Sequence, residues 1–445
     1  MKQESKYTTT TRILGPVLAT LCILLLFAAC SEDESIVEPA DTGLRMAVIS
    51  DLHYYDPSLG MEGQEWQMGL FADPKLLTEN ADILASLFNS VQTSDAEVVL
   101  VPGDLTKDGE KHNHEAMAAF LRSLESNGKK VFVVPGNHDI NNPVAKSFPG
   151  DPAVSIPGVN PGEFAQIYDE FGYGEATDRD PASLSYVAAL QSDLWLIAID
   201  GCVYNTGEAT PPTYGSISDA TASWIVAKLQ QAKSQNIRVV AMMHHALVEH
   251  FTGQSTFPVT AEYVVSDWQQ RASAFAQAGM KVLFSGHFHA NDVVAYADGS
   301  STLYEVSTGS PLSAPCPWRL ATIYKDGRLT LDTRTISNVS VPGGNFPLYA
   351  TEYLNTGMTN LVAYMLVNDF AVSEELAGQI APIVAGAYVA NYAGDEEMDA
   401  ASEQAVVMLN SLGDPTAALL AQLITSMRTD LPPVENVLTV TLCEC

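Results

Sequence analysis

Residues 131–139 read Val-Phe-Val-Val-Pro-Gly-Asn-His-Asp, a short run of β-forming residues that ends in a polar cluster. The same arrangement recurs at residues 98–104, Val-Val-Leu-Val-Pro-Gly-Asp, and at residues 281–289, Lys-Val-Leu-Phe-Ser-Gly-His-Phe-His. Similar apolar runs occupy residues 46–49, 194–199 and 239–243. Short continuous apolar runs of this kind are typical of strands that are buried on both faces. The sequence therefore predicts six buried strands.

Helical patterns lie between several of these runs. Leu84, Leu87 and Val91 fall on one face of a predicted helix, and a second helix is predicted to begin after Ser218-Asp219. Buried strands that alternate with amphipathic helices favour an α/β layered domain with largely parallel pairing. In such sheets ligands bind beyond the carboxyl ends of the strands. The polar clusters after the strands are therefore the candidate functional positions.

Composition narrows the class of protein. The 445 residues suggest two or three domains, and 47% hydrophobic against 17% charged residues allows a large core. Lys and Arg total 22 against 53 Asp and Glu, so the formal net charge is −31. A chain this acidic repels phosphate surfaces, which argues against a nucleic-acid-binding surface. Six cysteines are too few for a disulfide scaffold, although Cys202 and Cys316 could pair.

The N-terminus has the features of a secretory signal. Three basic residues precede a short apolar stretch in residues 1–29, which we interpret as a signal peptide. Leu-Phe-Ala-Ala-Cys at residues 26–30 resembles the lipobox of bacterial lipoproteins, so Cys30 is the expected lipidated residue; the alternative is an ordinary cleaved signal. Residues 30–43 are interpreted as an acidic tether. The expected location is the bacterial cell envelope, with a lipid anchor in the outer membrane, at the surface or in the periplasm.

The remaining segments differ from the strand-rich part in the spacing of their apolar residues. Residues 341–445 have helical apolar spacing and are predicted to form a separate helical module of about four helices, one starting at Asp414-Pro415. The stretch from Val341 to about Asp430 contains no histidine, so we expect no metal ligand from it. Residues 54–75 and 141–185 are long excursions of the kind that are often functional.

Polar clusters follow five of the six predicted strands. In chain order they are Asp51-Leu-His53, Gly103-Asp104, Gly136-Asn137-His138-Asp139, His244-His245 and Gly286-His287-Phe-His289. Six of the nine histidines fall in these clusters. Carboxylate and imidazole ligands suit Zn, Mn and Fe, and no cysteine competes with them in these clusters. The physical interpretation is a site for two metal ions.

In order and composition these clusters resemble the calcineurin-like metallophosphoesterases, whose pattern is D-x-H, G-D, G-N-H-D/E, H and G-H-x-H. The resemblance covers roughly Met46 to Leu331 and implies a layered β-sandwich flanked by helices over residues 44–340. The protein phosphatases of that family resemble G-D-x-V-D-R-G, whereas residues 103–109 read Gly-Asp-Leu-Thr-Lys-Asp-Gly. The forms present here look most like the bacterial phosphodiesterase-type branch.

The resemblance also implies roles for individual residues. One metal ion would be bound by Asp51, His53, Asp104 and His289, and the second by Asp104, Asn137, His244 and His287. His138 would act on the phosphoryl group or the leaving oxygen, and Asp139 would orient His138. His245 and His250 are candidates for the substrate pocket.

The function that this resemblance implies is hydrolysis of phosphate esters at two metal ions (Mn, Fe or Zn) that activate a water molecule. Phosphodiesters are the favoured substrates. Two alternatives stay open at this point: a phosphomonoesterase of the same fold, and a non-catalytic, substrate-capturing surface lipoprotein.

Overall fold

The computed structural model describes residues 43–204, 207–433 and 438–442. The predicted signal peptide, the lipidation site Cys30 and nearly all of the tether lie outside the described residues, as do Cys443 and Cys445. The described residues form one compact unit. Among the described residues, no helix has both the length and the apolar character needed to cross a membrane.

The described strands form three sheets. In chain order they are β1 Leu44–Val48, β2 Met61–Glu62, β3 Val98–Pro102, β4 Lys130–Val134, β5 Lys146–Pro149, β6 Val154–Ser155, β7 Asp178–Arg179, β8 Tyr186–Gln191, β9 Leu194–Ile199, β10 Arg238–Met243, β11 Val282–Ser285, β12 Val293–Asp298, β13 Ser301–Ser307, β14 Pro317–Ile323, β15 Arg328–Thr335 and β16 Thr439–Thr441. The six strands predicted from the sequence are β1, β3, β4, β9, β10 and β11.

Ten α-helices accompany these sheets in the described residues. They are α1 Gln64–Ala72, α2 Asn80–Thr93, α3 Lys111–Ser126, α4 Pro161–Ile167, α5 Asp219–Ser234, α6 Trp268–Ala278, α7 Phe346–Asn368, α8 Glu374–Ala393, α9 Ala400–Ser411 and α10 Pro415–Met427. The two helices predicted between strands are α2 and α5. Ser218 caps α5 by accepting a hydrogen bond from the Thr221 N–H.

Two large sheets carry the fold. The first has the strand order β16-β15-β14-β1-β3-β4, and the second has the order β12-β13-β11-β10-β9-β8-β7. β1, β3 and β4 are parallel to one another, as are β9, β10, β11 and β13. The other strands of these two sheets pair antiparallel, for example β14 with β1 and β12 with β13.

The two large sheets pack face to face, which makes the domain a layered sandwich. Along β10, Val240 and Met242 belong to the core between the sheets, whereas Val239, Ala241 and Met243 pack on the opposite face against α5 and α6. This alternation follows from the two-residue period of a strand. The predicted α/β sandwich flanked by helices is confirmed.

The C-terminal region contains four helices, α7 to α10, in agreement with the sequence. Asp414 caps α10 by accepting from the Ala417 N–H, with Pro415 at the first helical position. Two features differ from the expectation of a separate helical module. The buried faces of these helices join the same core as the sheets, and β16 returns after α10 to pair with β15. Helices α7 to α10 are therefore an insertion between strands β15 and β16 of the first sheet.

Candidate metal centre

The five polar clusters meet at the carboxyl ends of strands in both large sheets. Asp51 and His53 follow β1, Asp104 follows β3, Asn137 follows β4, His244 follows β10, and His287 and His289 follow β11. All seven side chains are buried, with at most 9% of each residue exposed. The seven residues that sequence reasoning assigned to metal binding are thus brought together in one place.

The backbone turns sharply at these positions. Asp51, His53, Asp104, His287 and His289 have φ angles of 53°, 39°, 49°, 69° and 62°. A positive φ is uncommon in residues other than glycine and costs about 1–3 kcal/mol. The surrounding sandwich therefore holds the side chains in strained turns that aim them at a common point.

Two glycines make room for the carboxylates. A Cβ atom at Gly136 would collide with the Asp104 side chain and backbone nitrogen, and one at Gly286 would collide with Ser50 and with Asp51 Oδ2. Glycine is therefore required where the loops after β4 and β11 pass the two acids. The Asp51 carboxylate also accepts the His287 N–H at 3.1 Å, which ties the first loop to the fifth.

One group of ligand atoms surrounds His53. Its Nε2 lies 3.2 Å from His289 Nε2 and 3.4 Å from Asp104 Oδ2. His289 Nε2 in turn lies 3.5 Å from Asp51 Oδ1. The atoms of Asp51, His53 and His289 all fall within 4.8 Å of one another, which is the spacing that a shared metal ion requires.

A second group surrounds His244 and shares Asp104 with the first. His244 Nε2 lies 3.4 Å from Asp104 Oδ2 and 3.0 Å from Asn137 Oδ1. His244 Nδ1 donates to the Pro102 carbonyl at 2.9 Å, so the Nε2 lone pair faces the centre. His287 completes the group, and its buried Nε2 has no hydrogen-bond partner among the described residues.

These residues fit two bound cations. Asp51 and Asp104 are 0% and 1% exposed, and a buried carboxylate is costly unless a positive charge compensates it. Imidazole nitrogens that lie 3.2 Å apart repel each other when both present lone pairs, whereas a metal ion between them uses both pairs. The His/Asp clusters are therefore suited to hold two metal ions that share Asp104.

His138 lies beside the first group, with its ring 5.0 Å from the ring of His53. Its Nδ1 donates to the Lys107 carbonyl at 2.8 Å and lies 3.1 Å from Asp108 Oδ1. Burial lowers the pKa of His138, but the charges of Asp104 and Asp108 outweigh it and raise the pKa above its ordinary value. Burial raises the pKa of Asp108, yet Lys107 and His138 bring that pKa down to about 2.

Asp139 does not take the role expected from the sequence. Its Oδ2 accepts the N–H groups of Leu105 and Gly136, and its Oδ1 accepts the N–H and the hydroxyl of Thr106. Consecutive residues in a tight turn point in different directions, so Asp139 faces the loop after β3 instead of the His138 ring. The carboxylate that orients His138 is Asp108, thirty positions earlier in the chain.

His245 and His250 do not line the cavity above the metal centre. His245 is fully buried and its Nε2 donates to the Thr213 carbonyl at 3.0 Å; burial and the neighbouring His244 lower its pKa to about 3. His250 is buried between Asp292, at 2.6 Å, and Glu305, at 3.6 Å. The expectation that these two histidines form the substrate pocket is therefore wrong, because both are turned into the protein.

Trp66 and Tyr55 pack the first excursion, residues 54–75, into the core, with their ring centroids 5.3 Å apart. Cys202 and Cys316 are free thiols.

Sequence reasoning missed Lys75, which lies in the first excursion. Its ammonium is 3.1 Å from His53 Nε2 and 2.6 Å from Asp73 Oδ2, and the residue is only 3% exposed. Both Lys75 and Asp73 line the cavity above the metal centre. No periodic pattern marks this irregular stretch, so the only available signal was the excess length of the connection.

Comparison with a family model agrees with this geometry. The family model described as calcineurin-like phosphoesterase matches residues 44–291. A comparison with curated proteins found no significant match. Similar solved structures include a dimetal phosphatase from Danio rerio, with 13% identity over 66% of this chain and 97% of that one and a TM-score of 0.46. They also include a purple acid phosphatase from yellow lupin (Lupinus luteus) seeds, with 12% identity, 67% and 52% coverage and a TM-score of 0.41.

Because the family model spans more than half of the chain, and because its range contains every residue of the metal centre, the chain belongs to the calcineurin-like phosphoesterase family and is a metal-dependent hydrolase.

Proposed function

We propose that this protein hydrolyses phosphate esters, preferentially phosphodiesters, at two metal ions. The observation that carries the proposal is the sharing of Asp104: its Oδ2 lies 3.4 Å from His53 Nε2 in one ligand group and 3.4 Å from His244 Nε2 in the other. One carboxylate between two sets of imidazoles is the arrangement that a two-metal hydrolytic centre needs.

The ligand sets follow the two groups of atoms. One ion would be held by Asp51, His53, Asp104 and His289, and the other by Asp104, Asn137, His244 and His287. Nitrogen and oxygen ligands of this type suit Mn, Fe or Zn. When bound, such a pair of ions supplies charge stabilisation to the phosphoryl oxygens and a water of lowered pKa.

His138 would move the proton. Because the Lys107 carbonyl can only accept, Nδ1 of His138 carries the hydrogen, and Nε2 remains for the substrate. The carboxylate of Asp108 favours the protonated ring, which can then donate from Nε2 to the leaving oxygen. Asp108 is the positioning residue in this scheme, and Asp139 holds together the loops after β3 and β4.

Lys75 would bind a phosphate oxygen. When a metal ion occupies the Nε2 lone pair of His53, Asp73 remains as the protein partner of the Lys75 ammonium. A buried ammonium paired with a single carboxylate can still donate to an anionic oxygen of the substrate. Lys75 thus supplies a hydrogen-bond donor for a phosphate oxygen beside the metal centre.

The preference for diesters rests on charge. Among the described residues that line the cavity, Lys75 is the sole Lys or Arg, and Asp73 already neutralises it. A phosphomonoester brings close to two negative charges at neutral pH, whereas a diester brings one. The site is therefore better matched to a diester, and a phosphomonoesterase of the same fold is the alternative.

The test compares bis(4-nitrophenyl) phosphate with 4-nitrophenyl phosphate on protein loaded with Mn, Zn or Fe. We expect a higher kcat/KM for the diester with at least one of these metals. A higher value for the monoester would establish the alternative. No turnover of either ester by protein that holds two metal ions would favour a non-catalytic, substrate-capturing lipoprotein.

We also propose that Cys30 is lipidated and anchors the protein to the outer membrane. The support is the sequence Leu-Phe-Ala-Ala-Cys at residues 26–30 after a basic and apolar leader, with an acidic tether behind it. Cys30→Ser should move the protein from the membrane fraction to the soluble fraction. If the variant fractionates like the parent, the anchor lies elsewhere or does not exist.

A further inference from the structure

The metal centre forms one end of a cavity of about 360 Å³. Volumes of roughly 300–1,000 Å³ are usual for small-molecule sites. His53, Asp104, Asn137, His138, His287 and His289 line the polar end. The space continues away from these residues toward the C-terminal helices, so a phosphate bound at the metals would occupy only part of it.

The C-terminal helices make the other end largely apolar. Each α7 residue that lines the cavity, from Met358 to Leu366, is apolar, and α10 adds Leu419, Leu420 and Leu423. The polar atoms that these helices contribute to the lining are the hydroxyls of Tyr388, Tyr392 and Thr416. Although the chain holds 53 Asp and Glu, the described residues of these helices contribute no charged side chain to the lining. The lining side chains of the C-terminal helices, hereafter the apolar wall, therefore carry no charge although the protein is strongly acidic.

Helix α7, which carries part of the apolar wall, packs directly against the segment that contains Lys75. A Cβ atom at Gly357 of α7 would collide with Pro74, which precedes Lys75, so glycine allows this close approach. The Tyr349 hydroxyl donates to Glu79 Oε1 at 2.7 Å, and the rings of Phe71 and Tyr364 meet edge to face at 5.6 Å. The apolar wall and the metal centre therefore face one common space.

The chemistry of this wall selects its occupant. Among the lining residues of these helices, the hydroxyls of Tyr388, Tyr392 and Thr416 are the available hydrogen-bond partners, so a sugar or a nucleobase placed there would leave most of its polar groups unpaired. An aliphatic chain loses nothing in that environment and gains from leaving water. Met358 and Met365 add flexible thioether side chains, which adapt to chains of different shape.

We propose that the substrate is an amphiphilic phosphate ester, with its phosphoryl group at the metal centre and a flexible aliphatic substituent along α7 and α10. This inference rests on the proposed phosphoesterase function and deepens it, because it names the class of substituent that the site accepts.

The experiment uses 4-nitrophenyl phosphodiesters whose second ester group is methyl, butyl or octyl, each below the concentration at which it forms micelles. With metal-loaded protein we expect kcat/KM to rise by up to about fourfold per methylene, the factor that corresponds to about 0.8 kcal/mol per buried CH₂. Methyl and octyl esters turned over equally well would overturn the inference and leave the phosphoesterase function standing. No turnover of any ester would overturn both.

Substitutions in the cavity lining test where the alkyl group of the substrate binds. Leu361→Gln and Leu419→Gln each place a polar group on the wall at a partly exposed position, so folding should tolerate them. Either variant should reduce the octyl-to-methyl ratio of kcat/KM about tenfold. Leu348→Gln is the matched control, because Leu348 lies on the same helix α7, is 53% exposed and does not line the cavity. Unfolding curves check that each variant folds; an unchanged ratio in both folded wall variants would contradict the placement.

Discussion

Two carboxylates compete for the role of positioning His138, and their asparagine variants should behave differently. Asp108 lies 3.1 Å from His138 Nδ1, whereas Asp139 accepts four hydrogen bonds from the loops after β3 and β4. We predict that Asp108→Asn lowers kcat at parental metal content and, because Asp108 also pairs with the Lys107 ammonium, lowers the free energy of unfolding by about 2 kcal/mol. Asp139→Asn should mainly lower the free energy of unfolding.

The magnitudes follow from the hydrogen bonds. Asparagine at position 108 can still accept from His138 but has no charge, and the difference between charged and neutral acceptors is worth about 1–1.5 kcal/mol, so kcat should fall about tenfold. Asparagine at position 139 turns an NH₂ group toward two of the four donors. Each buried donor left unpaired costs about 1–3 kcal/mol, so the free energy of unfolding should drop by roughly 2–6 kcal/mol.

The assay measures kcat for bis(4-nitrophenyl) phosphate, metal content by elemental analysis and urea unfolding for the parent and both variants. His138→Gln is the reference for complete loss of the acid, with an expected decrease in kcat of roughly 10²–10⁴ and both metals retained. The reasoning is refuted if Asp108→Asn has parental kcat while Asp139→Asn loses activity at parental stability. Metal loss in His138→Gln would instead make His138 a ligand.

Three further predictions concern the same fold. Asp104→Asn should lower metal content and turnover together, because it removes negative charge shared by both ions; two metals with full activity would contradict the bridge. Lys75→Met should lower kcat/KM for diesters about 10–100-fold through the loss of a charged hydrogen bond, and parental kinetics would exclude a role in phosphate binding. Burial lowers the pKa of His250, but Asp292 and Glu305 outweigh burial and raise that pKa to about 10. The protonated ring therefore stabilises the fold fully below about pH 6.5, and this contribution is lost as the pH rises toward 10. The resulting decrease in the free energy of unfolding is roughly 5 kcal/mol at most. His250→Gln should flatten the decrease in unfolding free energy between pH 6.5 and 10, and an equal decrease in parent and variant would contradict this origin.

The sequence was sufficient for the centre of the fold because its signals there are local. Continuous apolar runs predicted β1, β3, β4, β9, β10 and β11, and the polar cluster after a strand could only lie at the carboxyl end of its sheet. The antiparallel strands β14 and β15, which extend the first sheet beyond β1, were not predicted. Their pairing is decided by which strand remains exposed at the sheet edge, and the local pattern of one segment does not contain that information.

The misassigned residues have a common physical reason. The family resemblance implied that Asp139 orients His138, but adjacent residues in a turn diverge, and Asp108 reaches the ring from another loop. His245 and His250 were chosen for their closeness in sequence to His244, yet both side chains turn inward. Lys75 was missed because an irregular loop has no period from which an orientation can be read. In each case the orientation of a loop side chain was required, and tertiary contacts fix it.

The role of the C-terminal helices could not be predicted either, because an amphipathic stripe shows that a face is buried but not against which partner. In the structure these helices leave the first sheet after β15, and β16 returns to pair with the same strand. The contact of Gly357 with Pro74 places α7 against the loop that carries Lys75. The contact between Gly357 and Pro74 therefore helps to position both α7, which carries part of the apolar wall, and the loop that places Lys75 beside the metal centre. Deleting the helices would also remove β16 from the sheet, so their contribution to substrate selection has to be measured with point substitutions on the cavity wall.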